Sequence, residues 1–102
     1  MIISKDNINK FVKGTMMDCS NRGITYIEFV PEGVSHFYCY NNKLTELPIL
    51  PENLTSLHCW KNDLPYRVTL KRFKEHDILS IKEHNTFLKR KKIINQIVNE
   101  KH

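Results

Sequence analysis

Apolar positions between residues 15 and 66 repeat every twenty residues. Ile24, Leu44 and Leu64 fall in one column, as do Cys19, Cys39 and Cys59. Ile27 aligns with Leu47, Val30 with Leu50, Val34 with Leu54 and Phe37 with Leu57. The polar and turn-forming positions keep the same step: Pro31 with Pro51, Glu32 with Glu52, Asn42 with Asn62. So many coincidences at one period mark an internal repeat in which neighbouring copies stack to bury a shared apolar seam. Within a copy the alternation predicts a short strand, with Phe37 and Cys39 turned to one face and Leu57 and Cys59 likewise. Asn42 and Asn62 then fall in the turn, where a side-chain amide can satisfy backbone groups removed from water. Pro48 and Pro51 hold the returning segment extended.

Outside the repeat the spacing changes. In residues 4–13, Ser4 reads as an N-cap with Asp6 in the first turn, Ile8, Phe11 and Val12 recur at helical spacing, and Gly14 reads as the stop. A cap helix within residues 1–14 is predicted, covering the open end of the first copy. After Leu64-Pro65-Tyr66 the twenty-residue step ends. Thr69 predicts a cap for a helix from Leu70 to about His76, with Leu70 and Phe73 inward. Ser80-x-x-Glu83 is a capping box opening a helix from Ile81 to about Asn99. Its apolar face is Ile81, Phe87, Leu88, Ile94, Ile97 and Val98.

The runs Leu54-x-x-Leu57-x-Cys59-x-x-Asn62-x-Leu64 and Val34-x-x-Phe37-x-Cys39-x-x-Asn42-x-Leu44 fit the pattern L-x-x-L-x-L-x-x-N-x-L. A degraded first copy places Gly14, Met17, Cys19, Arg22 and Ile24 in the same slots, as a terminal repeat would. With Leu47-Pro48-Ile49-Leu50-Pro51, this resembles the twenty-residue LPxLP subclass of leucine-rich repeats, found in injected bacterial effectors and short proteins of large DNA viruses. The resemblance covers roughly residues 15–66. It implies one α/β domain over residues 1–102: a short leucine-rich-repeat solenoid of about three parallel strands (15–66), an N-terminal helical cap (1–14) and a basic helical C-terminal segment (67–102). Related effectors that ligate ubiquitin carry a separate catalytic domain after their repeats. Residues 67–102 contain no cysteine and are too few to house one, so that activity is not carried over.

Charge is uneven. Of 102 residues, 16 are Lys or Arg and 11 Asp or Glu, for a net +5. Residues 1–66 are nearly neutral, so the excess lies in residues 67–102, in Lys71-Arg72-x-Lys74 and Lys89-Arg90-Lys91-Lys92. Either cluster suits a phosphate backbone, and the second suits a nuclear-import patch, although interleaved Phe87 and Ile93 also describe an amphipathic helix with a wet basic face. No apolar run suggests a secretory signal or a membrane span. Three cysteines make a poor disulfide framework, so a reducing compartment is expected: the cytoplasm, or the host interior for a viral or effector protein, with the nucleus as an alternative.

The strand face turned from the seam carries Met16, Asp18 and Ser20; His36, Tyr38 and Tyr40; Ser56, His58 and Trp60. Its rings make His36, Tyr38, Tyr40, His58 and Trp60 the candidate surface for a protein partner, since aromatics give large contact area at low entropic cost. The bland alternative is cross-strand packing of the rings on one another. A zinc site at the cysteines is disfavoured because alternation turns His36 and His58 away from Cys39 and Cys59, and no C-x-x-C pair exists. Three scattered glycines form no phosphate loop. The sequence thus predicts a non-catalytic binding module without cofactor or metal. Its alternatives are nucleic-acid binding through the basic C-terminal segment and an accessory role in a viral or host ubiquitin-ligase assembly. An exposed last strand edge could also pair with another copy.

Overall fold

The computed structural model describes residues 1–70 and 78–100, with side chains for all of these except 78 and 92–100. Eight short strands occur among the described residues: β1 (Ile2–Ile3), β2 (Val12–Lys13), β3 (Met16–Asp18), β4 (Tyr26–Ile27), β5 (His36–Tyr38), β6 (Ser56–His58), β7 (Arg67–Thr69) and β8 (Ile78–Ser80). One helix, α1 (Ile81–Glu100), follows. The strands form a mixed sheet in the order β2-β3-β5-β6 and two parallel pairs, β1-β4 and β7-β8.

The central sheet carries the twenty-residue step. Met17 pairs with Phe37 and Phe37 with Leu57, in parallel. The inward residues Met17, Cys19, Phe37 and Cys39 are fully buried, and Ile24, Leu44, Leu47 and Leu50 close the core from the turns and return segments. Each strand leaves by the same left-handed residue: Asn21 (φ 60°), Asn41 (φ 56°) and Lys61 (φ 54°). Asn tolerates this region better than most residues, which accounts for two of the three.

Buried Asn42 joins two coils. Its Oδ1 accepts from the amides of Arg22 and Ile24, both at 3.0 Å. Its Nδ2 donates to the carbonyls of Cys19 and Cys39 at 3.0 and 2.9 Å. Asn62 repeats the device one coil later, accepting from Leu44 N and donating to Cys39 O and Cys59 O, each at 3.0 Å.

The expected solenoid with an N-terminal cap helix is not what forms. The chain is a small α/β fold with mixed and parallel sheets, and no N-terminal helical cap is present. The helical spacing of Ile8 and Phe11 is satisfied by a single 3-10 turn, Ile8–Lys10. Both residues are buried. Asn7 prevents propagation: its Oδ1 accepts from Ser4 N at 2.8 Å and its Nδ2 donates to Ile2 O at 2.8 Å, bonds that compete with a helical ladder. Gly14 (φ 62°) then turns the chain so that β2 pairs antiparallel with β3. Residues 2–3 join β4 in a separate sheet.

The C-terminal segment departs from expectation at its start. Thr69, expected to cap a helix, is the last residue of β7, and Leu70, expected to turn inward, is exposed. The rest of the predicted 70–76 helix, including Phe73, lies outside the described residues. The second helix begins at Ile81 as predicted, with the capping box in place: Glu83 N donates to Ser80 Oγ at 3.2 Å and Ser80 N to Glu83 Oε2 at 3.1 Å. Ile81 and Leu88 are buried, but Phe87, assigned to the same face, is half exposed.

Candidate binding face

Pleating places the side chains of Met16, Asp18, His36, Tyr38, Ser56 and His58 opposite the buried seam, and Ser20, Tyr40 and Trp60 continue the rows just past the strands. Because β3, β5 and β6 pair in register, equivalent side chains stand beside one another across the sheet. Tyr40 stacks on Trp60 at 5.0 Å between ring centroids, 16° from parallel. Tyr38 meets His58 at 4.7 Å, and His58 meets Trp60 at 4.7 Å. Four rings thus form one continuous contact over two strands. His36 stands apart, its Nδ1 2.9 Å from Ser35 Oγ.

The face is uneven in height. Over β5 and β6 stand the rings, with Trp60 52% exposed. Over β3 lie the shorter Asp18 and Ser20. Asp18 Oδ1 accepts from Ser20 N at 3.1 Å. Ser20 Oγ is the one buried side-chain polar atom without a hydrogen-bond partner among the described residues.

Cys19 and Cys39 are buried and Cys59 is partly so. Burial, followed by the charge of Asp18, pushes the Cys19 thiol up to about 12. Burial also raises Cys39 and Cys59 above the ordinary thiol value. All three remain protonated near neutrality, and the thiolate is the form that attacks or ligates. Among the described residues no cluster of His, Cys, Asp or Glu is arranged to hold a metal ion. No described helix is long and apolar enough to cross a membrane.

The basic residues lie elsewhere. Lys89, Arg90 and Lys91 are exposed on α1, and Lys92 belongs to the same helix. Lys71, Arg72 and Lys74 lie outside the described residues. The helix is seated on the return segment at Pro48 and Leu50 and packs beside β7 and β8. Asn85 accepts from Leu50 N at 2.8 Å and donates to Leu50 O at 2.7 Å, pairing with that residue as a strand would. His84, fully buried, approaches the Pro48 carbonyl through Nε2 at 2.9 Å and the Tyr66 hydroxyl through Nδ1 at 2.7 Å. A carbonyl only accepts, so Nε2 carries the proton and Nδ1 accepts from Tyr66. Burial lowers the imidazole's proton affinity against opposing effects of the Pro48 carbonyl and Glu46, and burial raises that of Tyr66. The described α1 cations thus belong to the helix docked on Pro48–Leu50, and no ring of the aromatic cluster lies on that helix.

Sequence reasoning brought the rings together correctly as neighbours and missed Tyr66, His84 and Asn85. A signal existed: positions 81, 84, 85 and 88 form one helical stripe, and its two middle members are polar. A polar pair inside an otherwise apolar stripe marks a specific docking contact. No protein-family model, curated protein or solved structure matches the chain.

Proposed function

We propose that the protein is a non-catalytic recognition module that binds a protein partner through His36, Tyr38, Tyr40, His58 and Trp60. The observation that carries this reading is the ring cluster itself. Four rings touch in one layer, yet the largest of them keeps half its surface in water. Rings serving only to pack a core would be turned inward, as Phe37 is. A pre-stacked aromatic layer, half-buried except at exposed Trp60, has little conformational entropy left to lose on binding. The twenty-residue pattern, with its resemblance to LPxLP leucine-rich repeats, supports the same reading, as does the burial of Cys19 and Cys39.

The test is affinity capture from the native host with three proteins: wild type, Tyr40→Ala/Trp60→Ala, and Lys89→Ala/Arg90→Ala/Lys91→Ala. The partner set is lost with the first variant and kept with the second. Retention of every partner by the ring variant overturns the proposal. Exposure of Lys89, Arg90 and Lys91 keeps nucleic-acid binding as a second reading. Affinity for DNA or RNA that falls steeply with salt and is lost in the lysine–arginine variant favours it. An accessory role in a larger assembly fits the face equally and is distinguished by which proteins are captured.

A further inference from the structure

The ring layer stops one strand before the sheet does. Tyr40 and Trp60 come from adjacent coils, lie 5.0 Å apart between centroids and stand within 16° of parallel. That spacing matches the ~4.8 Å between neighbouring strands, so the rings stand on edge like successive rungs, each above its own row. Tyr38 and His58 form the pair beside them, tilted, at 4.7 Å. The parallel register carries both rows on to β3. Asp18 pairs with Tyr38, and the bond from Asn21 N to Tyr40 O at 3.1 Å keeps Ser20 in step with Tyr40. Neither Asp18 nor Ser20 carries a ring. Tyr40 therefore turns one face to Trp60 and the other to the β3 row, where no third ring meets it among the described residues. Ser20 beneath that face is partly exposed, with its hydroxyl oxygen buried and unpartnered.

Charge at this step is as lopsided as shape. Among the outward positions of the three rows, Asp18 is the one carboxylate, and none is Lys or Arg. Asp18 is exposed, its Oδ1 accepts from Ser20 N at 3.1 Å, and it makes no ion pair among the described residues. Arg22, a few residues on, lies over the Phe11 ring, 5.4 Å from its centroid. Lys13 stands beside Met16, at the far end of the row from Ser20.

We propose that this step is the seat of an arginine side chain from the partner protein, its guanidinium laid on the free face of Tyr40 as a third rung and hydrogen-bonded at its edge to the Asp18 carboxylate. The inference rests on the ring face being the binding surface, and it names the group that surface reads. A guanidinium is flat, permanently charged, stacks on aromatic faces and presents a row of N–H donors matched to a carboxylate. The ring quadrupole attracts a cation held over its face. An ammonium pairs with Asp18 but leaves the ring uncovered. A neutral flat group covers the ring but leaves the charge unmatched, and a phosphate or an acidic segment is repelled.

The test uses the full chain and three end-blocked peptides, Gly-Ser-X-Ser-Gly, in which X is arginine, lysine or citrulline. Citrulline keeps the flat shape of arginine and loses its charge. Binding is read by NMR from the amide shifts of Asp18, Ser20 and Tyr40. The arginine peptide moves these shifts and saturates them in the millimolar range, the lysine peptide binds severalfold more weakly, and the citrulline peptide about tenfold or more so. Asp18→Asn keeps an oxygen for Ser20 N and removes only the charge; it weakens the arginine peptide about tenfold. Ser20→Tyr sets the chain's own ring on the third rung and abolishes binding. If Ser20→Tyr does not fold, the peptide series on wild type and Asp18→Asn decides alone. Equal binding of citrulline, undiminished binding by Asp18→Asn, or no response at these amides to any of the peptides overturns the proposal. Native partners lost with Tyr40→Ala/Trp60→Ala but kept by Asp18→Asn also overturn it and leave the ring-face reading standing. Partners kept by Tyr40→Ala/Trp60→Ala, with the peptide series as expected, refute the ring-face reading and leave the step as a guanidinium site.

Discussion

Asn42 in the coils and His84 in the C-terminal segment are both buried polar side chains that bridge parts of the chain distant in sequence, and they do it by different means. Asn42 belongs to a column. Its bonds are repeated by Asn62, its flanking left-handed residue recurs at positions 21, 41 and 61, and its neighbours in the seam recur as well. His84 has no counterpart. With Asn85 and Tyr66 it forms one set of contacts that seats α1 on Pro48–Leu50. The coils therefore rest on a distributed device in which each turn satisfies the one before it. The helix is held by a single set of polar contacts beside buried Ile81 and Leu88, with no repeat of that set elsewhere among the described residues.

The contrast can be broken most severely from inside the seam. Phe37→Asp places a carboxylate where no water reaches and should abolish the folded state, seen as loss of a cooperative transition in circular dichroism. Leu57→Asp, at the partly open coil, should destabilise strongly but less. Next in size, Asn42→Ala leaves the amides of Arg22 and Ile24 and two carbonyls unmet and should cost about 3 kcal/mol by denaturant unfolding. Asn62→Ala, at the wetter end, should cost less; equal costs would remove the distinction between closed and open coils.

Acid separates the two regions in another way. His84 is held neutral when folded, its proton affinity lowered by burial, while in the unfolded chain it titrates near the ordinary value of 6.5. The unfolded state thus binds the extra proton first. The stability that neutral His84 provides is complete above that value and is lost as pH falls from it towards the lower folded value. Denaturant midpoints between pH 7.5 and 5 should fall with pH, and His84→Gln should flatten the dependence in that window. A slope unchanged in the variant would mean that protonation acts elsewhere. The smallest effect is at the wet side of α1: Lys91→Asp should change stability by under about 0.5 kcal/mol.

What could be read in the sequence follows the same division. The seam, the Asn column, the ring layer and the start of α1 were legible because each is a repeated or local pattern: a column at twenty residues, an alternation, a capping box. The N-terminal segment was misread because the spacing of Ile8, Phe11 and Val12 suits one turn as well as a helix, and the side chain of Asn7 decides between them. Two-residue strands such as β1 and β4 are too short to show alternation, so their pairing has no sequence signature. The docking of α1 was missed because His84 and Asn85 take their meaning from partners thirty-five residues or so away, at Pro48 and Leu50.

Trp60 is the chain's single tryptophan and sits at the exposed end of the ring stack. Its fluorescence therefore reports on the face and on nothing else in this protein. Titrating a captured partner that itself lacks tryptophan should shift the emission to shorter wavelength and protect it from iodide quenching, saturating with the same affinity as binding measured calorimetrically. Full binding by calorimetry with the emission and its quenching unchanged would place the partner away from the aromatic layer and contradict the account.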